Sequence, residues 1–139
     1  MYLIVGAKGF LGSYLIKNIL SMTKEDVVAA DVNYVETEQN PRLSWQNCDI
    51  TKEKDVEKLR EYLKEKNDIK VIYLPVYFNV NKNPEVDKQA WNVNILSFAR
   101  FLDIFDKVST FYGISTDMLY KEDRDIPYTC LLYTSDAAD

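Results

Sequence analysis

The 139-residue sequence has no histidine, two cysteines, and four each of glycine and proline, and each shortage removes a class of chemistry. Without histidine there can be no Ser-His-Asp triad and no His-ligated metal site. Cys48 and Cys130 are too few for a disulfide framework, and no metal site is expected. No run of about 18 apolar residues is available to span a bilayer. The N-terminus enters a strand pattern at once, without the charged and apolar regions of a signal peptide, so a cytoplasmic setting is expected, with no membrane partner. There is also no long block of like charge. The 17 basic and 22 acidic residues give a net charge of −5, which argues against nucleic acid as a partner. What remains is 47% hydrophobic and 28% charged, the composition of one globular domain with a single core.

Within that composition the apolar residues are ordered. Residues 2–5 form a short apolar run ending at Gly6, after which Phe10, Leu11, Tyr14, Leu15, Ile19 and Leu20 recur at helical spacing. A second run, 27–30, closes on Asp31, and the polar stretch 33–42 reads as a loop. Residues 43–46 read as a third strand. Thr51 is the expected N-cap of a helix through Val56, Leu59, Tyr62 and Leu63, whose other positions are nearly all charged. Residues 70–74 are strongly β-favouring, 79–85 read as a polar link, 86–105 as a long helix and 109–115 as a fifth strand. Strands alternating with helices predict an α/β fold with a parallel sheet covered on both faces, because parallel strands need crossover connections. Trp91, Phe98, Phe101 and Phe105 are expected to pack the long helix onto the core.

The segment Gly6-Ala7-Lys8-Gly9-Phe10-Leu11-Gly12 puts three glycines between the first strand and its helix. Backbone N–H groups and the helix dipole can receive a pyrophosphate there. Gly6 permits the tight turn, Gly9 lets the backbone approach phosphate, and Gly12 lets helix and sheet pack closely. A glycine turn of this spacing can also serve packing alone, but a strand before it, a helix after it and an acid closing the next strand favour cofactor binding. That acid, Asp31, follows about twenty residues on, where a carboxylate accepts hydrogen bonds from the adenosine ribose. It favours NAD over NADP, while Lys8 leaves the preference open. Asp49-Ile50, after the third strand, would sit beside the adenine or, read alone, form a turn leading to the Thr51 cap.

These residues resemble the extended short-chain dehydrogenase/reductase family, of the NAD-dependent epimerase/dehydratase type. The similarity runs through Asp31, Cys48-Asp49-Ile50, Val71-Ile72-Tyr73-Leu74, Val93-Asn94 and Ser115-Thr116-Asp117, and covers residues 1–129. Within it, Ile114 to Tyr120 and Ile126-Pro127-Tyr128-Thr129 look most like dTDP-4-dehydrorhamnose reductases, with sugar-nucleotide epimerases and dehydratases close behind. The resemblance implies a Rossmann-type doubly wound sheet of about five strands in the order 3-2-1-4-5, binding NAD or NADP. It also implies a nucleotide-sugar substrate and a homodimer of the intact parent. Thr116 would be the hydroxyl that bonds the reacting oxygen of the substrate, and Asn94 would set the helix beside the site. As bare sequence, Ser-Thr-Asp at a strand end is more often a cap or turn. Leu74, Pro75 and Val76 would border the cofactor, although the family usually has small residues there and Pro75 lacks a backbone donor. A non-catalytic binding module is therefore a second reading.

The family's mechanism needs a Tyr whose phenol exchanges a proton with the sugar, and a Lys four residues later whose charge lowers the phenol pKa. Among the ten tyrosines only Tyr62, with Lys66, has that spacing. It lies between the third and fourth strands, where Tyr62 is expected to face the core and Lys66 to reach water. Residues 130–139, Cys130 to Asp139, read as the translation of a transposase sequencing adapter and are set aside from fold reasoning. The expectation is thus an NAD(P)-binding domain over 1–129, cut before its catalytic pair and inactive as it stands, with a bare fifth-strand edge prone to aggregation.

Overall fold

The computed structural model describes residues 1–32, 40–78, 84–104 and 108–114. Five strands, β1 (Tyr2–Val5), β2 (Val27–Asp31), β3 (Leu43–Asn47), β4 (Ile69–Tyr73) and β5 (Val108–Gly113), form one parallel sheet in the order β3-β2-β1-β4-β5. Helices α1 (Phe10–Met22) and α2 (Glu53–Leu63) follow β1 and β3. Between β4 and β5 run α3 (Pro84–Trp91), a π-helical turn (Asn92–Leu96) and α4 (Ser97–Ile104). This is the expected Rossmann-type sheet.

The strand runs look uniformly apolar because both faces of the sheet are covered. Leu3, Val5, Val28, Ala30, Val71 and Tyr73 pack with Val56, Leu59 and Leu63 of α2 and Phe101 of α4. On the opposite face, Ile4, Val27, Ala29, Leu43 and Ile72 pack with Ile16 of α1. Burying each of the Val, Leu, Ile and Phe side chains among these stabilises by about 1.5–3 kcal/mol. The register puts Val5 beside both Ala30 and Tyr73. The residues that follow these three, Gly6, Asp31 and Leu74, therefore emerge together at the carboxyl edge, where the chain leaves β1 and β4 in opposite directions and a crevice opens.

Several local expectations are corrected. Strand β4 lies one residue earlier than predicted, because Pro75 has no N–H with which to carry the ladder on. The long helix is interrupted: Asn92 O accepts both the Ser97 N–H and, at 2.7 Å, the Ser97 hydroxyl, which holds a π-turn around a fully buried serine. Trp91 is not core but 59% exposed. Phe98 and Phe101 do pack, with ring centroids 5.0 and 5.1 Å from Tyr73, while Phe105 lies outside the described residues. Tyr62 does not face the core; Val56, Leu59 and Leu63 take that face, and the Tyr62 hydroxyl donates instead to Ser44 Oγ of β3 at 3.0 Å. On α1, Phe10 and Tyr14 also turn outward, and the sheet is met by Gly12, Leu15, Ile16, Ile19 and Leu20.

Candidate functional site

The first loop is built around backbone contacts that only glycine allows. Gly6 has φ +79°, in the left-handed region, and a Cβ there would lie 3.1 Å from Pro75 N and 3.3 Å from Leu74. A Cβ on Gly12 would fall 2.6 Å from Gly6 O and 2.7 Å from the Ala7 backbone. Between them Gly9 occupies the N-cap position of α1 with no side-chain cap, and the first turn carries no acid. A helix start leaves its first amides without intrahelical partners. Here they open onto a cleft with the dipole's positive end, an arrangement suited to an anion.

Asp31, at the end of β2, is fixed by two backbone donors: Oδ2 accepts the Lys8 N–H and Oδ1 accepts the Val32 N–H, each at 2.7 Å. A carboxylate oxygen has two acceptor positions, so the group keeps capacity for a ligand while its orientation is set.

Asp49 behaves differently. Its Oδ1 accepts the Thr51 N–H at 3.0 Å and the Thr51 hydroxyl at 2.6 Å, and its Oδ2 lies 3.1 Å from Lys52 Nζ. Burial would raise this carboxyl, but the bonds from Thr51 and Lys52 outweigh it and hold the pKa below the usual value. Thr51 is therefore not the helix cap; Lys52 occupies that position. Asp55, in the first turn of α2, accepts the Asp49 N–H at 3.2 Å.

Cys48 is buried beneath these acids, and its thiol is pushed up to about 12 by desolvation and by the charges of Asp55, Asp49 and Asp31. It is not a nucleophile at neutral pH. The large displacement of Glu25, down to about 2 through its bonds to Lys70 and the N-terminal ammonium, lies at the opposite, amino edge of the sheet. It marks an ion pair and not a site.

Twelve of the residues singled out in the sequence border one cleft of about 660 Å³: Gly6, Lys8, Gly9, Phe10, Leu11 and Gly12, then Asp31, Asp49, Ile50, Leu74, Pro75 and Val76. Asn94 does not. It borders an adjoining cavity of about 390 Å³ and bonds both backbone groups of Tyr77. Thr116 lies outside the described residues. The cleft also takes Val32, Cys48, Thr51, Tyr77, Val93 and Ile114. Three of these, Val32, Cys48 and Ile114, directly follow strand ends, so the topology could have flagged them, while Val93 is marked only by the family resemblance. Among the described residues no group of three or more Cys, Asp or Glu side chains could hold a metal ion, and no helix is long and apolar enough to cross a membrane.

Fold and cleft together define a Rossmann-type domain with a glycine loop and a helix start lining a cleft at its carboxyl edge. The sequence profile of the NAD dependent epimerase/dehydratase family matches residues 2–137, and the chain belongs to that family. The matched stretch runs past residue 129 into the segment set aside above. No curated protein matches the sequence. Solved structures do. A UDP-glucose 4-epimerase is 25% identical with a TM-score of 0.73, over 91% of this chain and 39% of its own. The UDP-glucose 4-epimerase of Thermus thermophilus, in complex with NAD, is 18% identical with a TM-score of 0.59, over 74% and 32%. A short-chain dehydrogenase of Burkholderia cenocepacia, in complex with NADP, is 21% identical with a TM-score of 0.65, over 75% and 46%. The chain thus spans less than half of each of these structures.

Proposed function

We propose that the cleft binds a nicotinamide dinucleotide, NAD in preference to NADP, as part of an oxidoreductase acting on a nucleotide-linked sugar. The observation that carries this reading is Asp31, held by the Lys8 and Val32 amides at the cleft beside the glycine loop. The residues fit the cofactor: added Cβ atoms at Gly6 and Gly12 would collide with backbone, the α1 start suits the pyrophosphate, and Asp31 suits the ribose hydroxyls. A 2′-phosphate at that ribose would meet a fixed negative charge. When bound, the nicotinamide supplies the hydride chemistry; this chain's residues bind and orient it. Titration of the chain with NAD and NADP is expected to give tighter binding of NAD by about tenfold or more. Tighter NADP binding would overturn the preference, and binding of neither would overturn the reading.

Family membership favours epimerisation or dehydration through a transient 4-keto sugar, with cofactor retained through turnover. The dTDP-4-dehydrorhamnose reductase reading rests on the likeness of Ile114 to Tyr120 and Ile126 to Thr129, with Thr116 bonding the reacting oxygen. A parent enzyme that turns over only with added NAD(P)H would favour the reductase. One that holds its NAD without exchange would favour the epimerase.

A further inference from the structure

The ladder of β3 ends where the cleft begins. The Cys48 N–H donates to Asp31 O at 2.9 Å, and the three residues that follow, Asp49, Ile50 and Thr51, lie beyond the paired register and border the cleft. Side chains hold them instead. Asp55 accepts the Asp49 N–H, and Asp49 accepts both the N–H and the hydroxyl of Thr51. These bonds are local, so they set the shape of the turn and tie it to α2. Ile50 sets its depth, buried in the same cluster as Phe101, but apolar burial has no direction. A directional bond comes from farther away: Arg100 Nη1, on α4, donates to the Thr51 carbonyl at 3.2 Å across 49 positions of sequence. The crossover that carries Arg100 also contributes Val93 to the cleft. One charge-assisted hydrogen bond, of the stronger kind, therefore joins two of the cleft's walls.

We propose that Arg100 is a positioning residue for the adenosine end of the dinucleotide: acting through Thr51, it holds the rim formed by Asp49, Ile50 and Thr51 at the spacing from the glycine loop that an adenine ring requires. This rests on the dinucleotide reading of the cleft. The local bonds of the turn do not depend on Arg100, so without it the rim keeps its shape and loses its place. NAD and AMP carry the same adenosine and weaken together. A residue acting at the nicotinamide end would spare AMP.

The test titrates the full chain with NAD and, separately, with AMP, at a temperature where circular dichroism shows each variant folded. Arg100→Met keeps the apolar stem and removes the donors, and should weaken both ligands about fivefold, the scale of one hydrogen bond. Arg100→Gln, whose amide is shorter than the arginine, should do the same and serves where Met is not tolerated. Arg100→Lys returns a charged donor and should restore both affinities to within about twofold of wild type. Lys70→Ala, at the amino edge of the sheet, loses its ion pair with Glu25 and reports the effect of lost stability alone; both affinities should stay within about twofold. Unchanged affinities in Arg100→Met and Arg100→Gln, a loss for NAD that spares AMP, or no recovery in Arg100→Lys would overturn the proposal. Wild-type chain that binds neither ligand removes the dinucleotide reading and this inference with it. Wild-type binding without the shared loss in the variants removes the inference alone.

Discussion

The backbone N–H of Lys8 donates to Asp31 Oδ2 at 2.7 Å, joining the glycine loop to the end of β2. One carboxylate therefore both shapes the loop and faces the cleft.

Asp31→Ala should show both roles. Loss of a charged acceptor toward a ribose costs about 2 kcal/mol, or roughly thirtyfold in NAD affinity, and the preference over NADP should shrink. Unfolding in urea should shift as well, by about 1 kcal/mol, because the Lys8 and Val32 amides lose their partner. An NAD affinity within a factor of about two of wild type would remove Asp31 from the binding site.

Gly9 and Gly12 separate loop function from loop stability. Gly12→Ala drives a Cβ to 2.6–2.7 Å from backbone atoms of Gly6 and Ala7, none of which can swing away. It should destabilise by about 1–3 kcal/mol, read from the urea midpoint. Gly9 has an ordinary φ of −63°, and an added Cβ meets one carbonyl at 3.3 Å. Gly9→Ala should leave the midpoint nearly unchanged and still weaken NAD, because the methyl stands where phosphate approaches. Equal effects of the two variants on the urea midpoint would contradict this division.

Cys48 gives the fold an alkaline limit. Its thiol, ordinarily at 9.0, sits near 12 when folded, so the native state favours the protonated form. That contribution is complete below about pH 9 and is lost as pH rises towards 12. Tyr73, raised by burial and then by Cys48, acts in the same direction. Stability should fall by about 1–2 kcal/mol between pH 9 and 11, and Cys48→Ala should flatten part of that slope. Peptide mapping after alkylation at neutral pH should find Cys48 unmodified in folded protein and modified in urea. Rapid labelling of the folded chain would show that the thiol is accessible.

The fold was readable in the sequence because doubly covered strands leave little ambiguity: the runs through Ile4, Ala29 and Ile72 are buried on both faces and bounded by glycine, acid or proline. The cleft was readable for a related reason, since a parallel sheet in this order brings the ends of β1, β2, β3 and β4 to one edge. Choices between near-equal local partners were not readable. Thr51 could cap α2 or serve Asp49, and a carboxylate already held in a turn won. Tyr62 sits at helical spacing with the core residues, yet its hydroxyl is satisfied at Ser44, on the rim. The π-turn leaves no periodic signature, because a single inserted residue shifts phase without changing composition, and its lock is one small buried hydroxyl at Ser97.

Pro75 has a consequence beyond its contact with Gly6. The Leu74 N–H bonds Val5 O of β1, and backbone groups of a strand alternate sides, so the next donor would point towards β5 and extend that pairing past Tyr73 and Gly113. Proline has no such donor. The ladder between β4 and β5 cannot add another rung at that point, so the chain that follows Tyr73 leaves the sheet where it borders the cleft. The length of this pairing is then written into covalent structure, independent of any competition between self-pairing and an incoming ligand.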